Sequence, residues 1–269
     1  MAVLRSSLRA VLIVGAALLL YGCSDASSPT GPGASDPTNG GTSDGGSTTQ
    51  FDSRAAPGES AEAFLSGEQF TELTVEVDYM EGYRPTEEGL DSLKSALERH
   101  LAKSSITIAT PTSIPAQGNS TYSAEDIRDL EAEHRDHFTQ AGSETIWAYF
   151  LVLDGTFTNE SVVGVAYYNT SMAFFGKTIE DITGGLTQPS RKKVEATVFR
   201  HEFGHNLGLV NNGIPMQQDH QDEEHGPHCT NEQCVMYYAI ETTDFFRNVF
   251  DGTIPGFGPH GTEDMAAQR

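Results

Sequence analysis

The chain has 269 residues, enough for one sizeable domain with a tether and few for two full cores. It carries 38 Asp and Glu against 16 Lys and Arg, a formal charge of −22, which argues against nucleic acid as a partner because phosphate backbones need a basic face. Hydrophobic residues make up 37%, low for a compact domain, and the shortfall is local.

Ala10 to Leu20 is an unbroken run of apolar or small residues behind Arg5 and Arg9. A spanning helix needs about 20 such residues, so residues 1–22 read as a secretory signal. The run ends Leu20-Tyr21-Gly22-Cys23, which resembles the bacterial lipobox. That resemblance implies acylation of Cys23, a membrane anchor and an extracytoplasmic location, and Ser24 fits sorting to the outer membrane. Residues 23–60 are dominated by Ser, Gly, Pro, Thr, Asp and Asn and read as a disordered linker. The folded domain is then 61–269, with regular structure from near Gln69.

Val75, Val77 and Tyr79 alternate with Thr74, Glu76 and Asp78 and predict a half-buried strand. After Pro85, Leu90, Leu93, Leu97 and Leu101 form one helical stripe. Ile106 and Ile108 predict a second strand, closed by Pro111 and Pro115. Ser123 and Asp126 are spaced for a capping box on a helix that carries Ile127, Leu130 and Phe138. Ile146 to Leu153 is a nearly continuous apolar run, as in a central strand, and Val162 to Phe175 holds one or two more. A helix runs from about Ser190 to Leu207 and stops at Gly208. This order predicts an α+β domain, α/β-like in its N-terminal half, with a mixed sheet, two helices on one face and a third carrying the chemistry.

That third helix contains His201-Glu202-Phe203-Gly204-His205. Positions four apart share a helix face, so both imidazoles can meet one metal ion, with Val194 and Val198 anchoring that face. Glu202 is displaced by about 100°, close enough to take a proton from a water activated by zinc without itself being a ligand. By itself, H-E-x-x-H also fits a surface helix that happens to carry two histidines.

Gly208 extends the motif to H-E-x-x-H-x-x-G, and Cys234-Val235-Met236-Tyr237-Tyr238 follows. This resembles the metzincin clan of zinc peptidases, in which the Gly allows a sharp turn, a third His completes the site and a Met-containing turn lies beneath the zinc. The resemblance implies a twisted mixed sheet with two packing helices, an active-site helix and a small C-terminal subdomain. The usual third-ligand position is Asn211 here, a weak zinc ligand. His228-Cys229-Thr230-Asn231-Glu232-Gln233-Cys234-Val235-Met236 resembles the H-C-x₄-C-x-M segment of archaemetzincins, which implies His228 as third ligand and residues 211–227 as an insertion. It also implies a packing role for Met236 and, from the astacin and serralysin branches, a zinc-side or oxyanion-side role for Tyr238. With Cys23 acylated, Cys229 and Cys234 are the remaining pair and are expected to form a disulfide outside the cytoplasm.

The function implied is a zinc endopeptidase acting on peptide or protein substrates laid along an edge strand. Three alternatives stay open: a gluzincin-type site using Glu223 or Glu224, a non-catalytic zinc-stabilised binding lipoprotein, and replacement of His228 by His220 or His225. His100, His134, His137 and His260 read as structural or solvated. Asp222-Glu223-Glu224 reads as a solvated loop, with calcium an alternative that no ligand spacing supports.

Overall fold

The computed structural model describes residues 51–269. The expected signal, Cys23 and the linker up to residue 50 lie outside the described residues. Residues 51–60, expected to be linker, are packed onto the domain. The Asn169 side chain donates to the Asp52 carbonyl (2.7 Å), its backbone N–H to Ala55 (2.9 Å), and the Thr170 hydroxyl to Ser53 (2.9 Å). Phe51 meets Phe70 edge to face, 5.4 Å between centroids. Ordered structure thus begins before Gln69, and helix α1 (Ala61–Leu65) buries Phe64 and Leu65.

Strand β1 (Glu72–Met80) leads to helix α2 (Glu87–His100), capped by the Thr86 hydroxyl. Strands β2 (Ser105–Ile108), β3 (Thr112–Ile114) and β4 (Thr121–Tyr122) precede helix α3 (Ala124–His134), whose Ser123–Asp126 capping box forms as expected. Then come β5 (Thr145–Leu153), β6 (Thr156–Phe157), β7 (Gly164–Tyr168) and β8 (Ser171–Phe175). Helix α4 (Gly176–Asp181) precedes the long α5 (Arg191–Asn206). Phe138 lies beyond the end of α3 because Arg135 turns extended to bury its guanidinium against Glu131 (2.7 Å), Thr170 (3.0 Å) and Ser171 (3.1 Å).

The fold is α+β. The main sheet runs β2-β1-β5-β8-β7, with β3 beside β2 on the β1 edge. Every pairing is parallel except that of β7 with β8, which makes the sheet mixed. Ile146, Ala148, Phe150 and Val152 of β5 face a core shared with Leu90, Leu93 and Leu97 of α2 and Val194, Val198 and Phe203 of α5. Tyr149, Leu151 and Leu153 face the other side, with Ile127 and Leu130 of α3. Helices α2 and α3 therefore cover opposite faces, contrary to the arrangement expected from element order. The crossover through α2 moves outward from β1, and the one through α3 moves back across it. Right-handed crossovers in opposite directions place their helices on opposite faces.

Helix α5 is buried along its whole length from Val194 to Asn206, between the sheet and the segment that follows it. That segment contains one 3₁₀ turn (Tyr238–Glu241), α6 (Thr243–Asn248) and α7 (Gly258–Ala266). Arg200 ties the layers together by donating to Pro255 O (2.8 Å) and Ser92 Oγ (2.8 Å).

Candidate metal centre

His201 and His205 sit one turn apart on α5 with their Nε2 atoms 3.3 Å from each other. His228 brings a third imidazole to the same point, its ring centroid 5.3 Å from that of His201 and 5.0 Å from that of His205. A fourth group, which the sequence reading did not single out, completes the set. Glu241 Oε1 lies 3.5 Å from His201 Nε2, 3.3 Å from His205 Nε2 and 3.0 Å from His228 Nε2. Among the described residues this is the one group of His, Cys, Asp or Glu ligand atoms that converges tightly enough to hold an ion.

The donor set fits zinc. His201 Nδ1–H donates to Val235 O (2.6 Å) and His228 Nδ1–H to His225 O (2.7 Å). Those bonds fix the tautomer in both rings and turn the Nε2 lone pairs toward the centre. Lone pairs of neutral imidazoles facing a carboxylate oxygen are mutually repulsive unless a metal ion, or a proton on one of the rings, lies between them. A tetrahedral zinc with Zn–N near 2.0–2.1 Å needs its ligand atoms roughly 3.3 Å apart, and the His201–His205 separation and the three from Glu241, 3.0–3.5 Å, bracket that value.

The electrostatics differ from ring to ring. Burial, joined by the charges of His201 and His228, holds His205 down to about 4 despite its bond to Glu241, so it is a neutral donor. His228 loses by burial but gains more from Glu241 and from the His225 carbonyl, and its pKa is raised. Burial disfavours the charge on Glu241, yet the three imidazoles hold its carboxyl well below the usual range.

Glu202 is buried on the adjoining face of α5. Its Oε2 accepts the Ala166 N–H of β7 at 2.9 Å, while Oε1 is buried with no partner. Burial, then the charge of Glu241, push its carboxyl well above the usual range, against the Ala166 bond. Gly164 makes this approach to β7 feasible, since a Cβ there would lie 3.0 Å from Glu202 Oε1 and from Val198.

Met236 is buried beneath α5, where a Cβ on Gly204 would come within 2.3 Å of its sulfur. Tyr238 does not join the histidines. It stacks flat on His225, centroids 3.6 Å apart, and Glu241 three residues later takes the place expected for it. Asn211 is exposed because Val210 and Asn211 both adopt left-handed backbone (φ 55° and 58°), which carries the chain away from the centre. His225 closes a turn with Asp222 (2.7 Å), and Glu223 and Glu224 are exposed, so neither glutamate is a third ligand. Asp222 also accepts the Glu224 N–H, so its carboxylate is engaged in that turn.

His220 has both ring nitrogens engaged, with Asp264 Oδ2 at 2.9 Å and Cys229 Sγ at 3.3 Å. The inserted segment is therefore pinned to α7 through its middle. Cys229 and Cys234 are buried free thiols, not the expected disulfide. The single S–H of Cys234 is within reach of both Phe257 O (3.2 Å) and Cys229 Sγ, and Cys229 Sγ also accepts the Asn231 N–H (3.4 Å). A hydrogen bond from Cys234, with help from Asn231 and His220, holds the Cys229 thiol down to about 5 against burial. The remaining histidines are structural or peripheral: His100 packs on Phe257, His137 on Trp147, His260 on His220, and His134 lies beside Glu133.

No family model matches the chain. Among solved structures the chain is similar to an archaemetzincin from Methanopyrus kandleri, with a TM-score of 0.47 and 14% identity over 75% of this chain and 96% of that one. It is also similar to metalloproteinase-II from Bacteroides fragilis, with a TM-score of 0.43 and 13% identity over 81% of this chain and 58% of that one. The chemistry of the centre rests on its own residues: three convergent imidazoles, one carboxylate among them and a second, half-satisfied carboxylate beside them.

Proposed function

We propose that the chain is a zinc-dependent endopeptidase of metzincin type. The observation that carries this reading is the convergence of His201, His205 and His228 next to a buried Glu202 whose Oε1 has no partner. When bound, zinc supplies a Lewis acid that polarises a carbonyl and brings the pKa of water to near 7. The three imidazoles would hold it through Nε2, with His201 and His228 oriented by the Val235 and His225 carbonyls. Glu202 is the proton acceptor: buried and raised in pKa, it can take a proton from water and return it to a leaving amine. Its bond to Ala166 sets it beside β7, the antiparallel edge strand along which an extended peptide would lie.

Glu241 favours a second reading, a structural zinc in a binding protein, because a structural site is commonly closed by four protein ligands. In that reading the unpaired oxygen of Glu202 would be an uncompensated cost, which favours catalysis. The deciding experiment is Glu202→Gln, assayed for bound zinc and for hydrolysis of a fluorogenic protein substrate. Zinc should remain at one equivalent while turnover falls by about 10²–10⁴. Equal turnover in parent and variant would exclude the mechanism, and no turnover by the parent on any peptide would favour the structural reading.

We further propose that acylated Cys23 tethers the enzyme outside the cytoplasm, with the outer membrane as the expected site, on the strength of the Leu20–Cys23 motif. Labelling of the expressed chain with a fatty-acid analogue, lost in Cys23→Ala, tests this.

A further inference from the structure

We propose that Glu241 is a displaceable fourth ligand of the metal, a carboxylate latch built into the chain that closes the position water and substrate need. The inference rests on the zinc-site reading above and adds a resting state to it.

Three observations carry it. The Oε1 atom sits at the apex of the triangle of Nε2 atoms, 3.0–3.5 Å from all three, which is where a fourth tetrahedral ligand belongs. The carboxylate is not there by the accident of a loose loop, because its backbone is anchored. The Glu241 carbonyl accepts the Val163 N–H at 2.9 Å, Thr243 N–H donates to Ser161 O at 2.9 Å, and Val162 bridges Thr242 in antiparallel fashion. The residue therefore arrives from the start of the edge strand that also brings Ala166 to Glu202. Finally, the side chain is 35% exposed, whereas those of His201, His205 and His228 are 0%, 8% and 6% exposed.

That contrast separates holding from latching. The histidines are locked by burial and, for two of them, by carbonyl partners on the far nitrogen. Among the described residues, Glu241 has no such second partner. It approaches from the solvent side, and its side chain can rotate away while the backbone bridge stays in place. With the carboxylate in, the centre is a closed set of three nitrogens and one oxygen. With it out, the same three nitrogens leave one position for water or a peptide carbonyl. A peptide laid along β7 would run toward the 161–163 bridge, so occupancy of the edge and release of the carboxylate are mechanically linked.

The test uses the full chain and its Glu241→Gln and Glu241→Ala variants. Zinc affinity is measured by competition with a chromogenic chelator, and the ligand set by the visible absorption of the cobalt(II)-substituted protein. Loss of an anionic ligand should weaken zinc by about tenfold or more and change the cobalt spectrum in both variants. Peptide hydrolysis at saturating zinc should rise in Glu241→Gln, since the latch is gone and the three histidines remain. Unchanged zinc affinity with an unchanged cobalt spectrum in Glu241→Gln would overturn the latch even if the parent is an active peptidase. The expected metal changes with no hydrolysis by any form would support the ligand assignment and sink the peptidase reading. Glu241→Gln is nearly isosteric and keeps the backbone bridge, and thermal melts in chelator would separate misfolding of Glu241→Ala from loss of a ligand.

Discussion

His201 Nδ1 lies 2.6 Å from the carbonyl oxygen of Val235, one residue before Met236, so the turn under the centre holds the first histidine by a direct hydrogen bond. The turn is held in place in its own right: Met236 O accepts the Cys229 N–H at 2.7 Å and Val235 N–H donates to Gly256 O at 2.7 Å. The Met236 sulfur occupies the space a side chain on Gly204 would need, with 2.3 Å between it and the missing Cβ. Gly204→Ala should push this turn away from α5, loosen His201 and weaken zinc by roughly tenfold. Chelator competition measures it. A Gly204→Ala protein with parental zinc affinity would show that Met236 yields without disturbing the Val235 carbonyl.

The ligand set should be separable by single substitutions. His228→Ala ought to lose zinc affinity by roughly 100-fold or more, as loss of one of three imidazoles from a buried site requires. Asn211→Ala and His225→Ala should keep zinc, because one is turned into solvent and the other spends its Nδ1 on Asp222. His220→Ala should keep zinc but lose stability by about 3 kcal/mol, since it leaves the fully buried Asp264 carboxylate with the Gln217 N–H alone and no charge partner. Metal analysis and urea unfolding on the same preparations distinguish the two kinds of loss. Zinc loss in His220→Ala with His228→Ala unaffected would move the third ligand into the inserted segment.

Gly208 has φ +72°, and a Cβ there would lie 2.7 Å from the Ala61 Cβ. Its carbonyl also accepts the Asn212 and Ile214 N–H groups, which set the exit of the chain from α5. Gly208→Ala should therefore cost about 1–2 kcal/mol in backbone strain alone, with the contact to α1 added. Urea unfolding reads this directly, and an unchanged midpoint would mean the turn relaxes elsewhere.

Local pattern made most of the scaffold legible and tertiary geometry hid the rest. Ile146 to Leu153 reads as a central strand because both of its faces are buried, and the Ser123–Asp126 spacing fixes the start of α3 by itself. The face each helix covers was not legible, because it depends on crossover direction and not on any stripe. The same holds for residues 51–60. Their composition reads as disorder, and what holds them down is distant in sequence: Phe70 against Phe51, Asn212 on the Pro57 carbonyl, and Asn169 and Thr170 more than a hundred residues away. His228 was reachable only through the resemblance that residues 228–236 bear to a known zinc-peptidase segment, with His220 and His225 left as alternatives. Glu241 left one faint signal, as the lone acid between Glu232 and Asp244, five residues past Met236. Its place among the histidines comes from the bridge to Val163, a contact with no trace in the local sequence.

Asp78 gives a prediction on the far face of the sheet, away from the centre. It is 3% exposed on β1 and accepts the Tyr149 hydroxyl at 2.9 Å. Burial, with the charges of Glu76 and Asp136, pushes its carboxyl from near 3.8 up to about 6, while Tyr149 and His134 oppose the shift. The folded form thus holds a proton between about pH 4 and 6 that the unfolded form has released. The unfolded state binds fewer protons there, so this group's contribution to stability falls as pH rises through that window. Asp78→Asn carries no charge at any pH, and its side-chain oxygen can still accept from Tyr149. The variant should gain up to about 3 kcal/mol over the parent near pH 7, with the gain shrinking toward pH 4. Urea unfolding of both proteins at pH 4, 5, 6 and 7 measures the difference. A gap that stays constant across those pH values would mean that Asp78 is ionised in the fold throughout, with the buried Tyr149 hydroxyl sufficient to stabilise its charge.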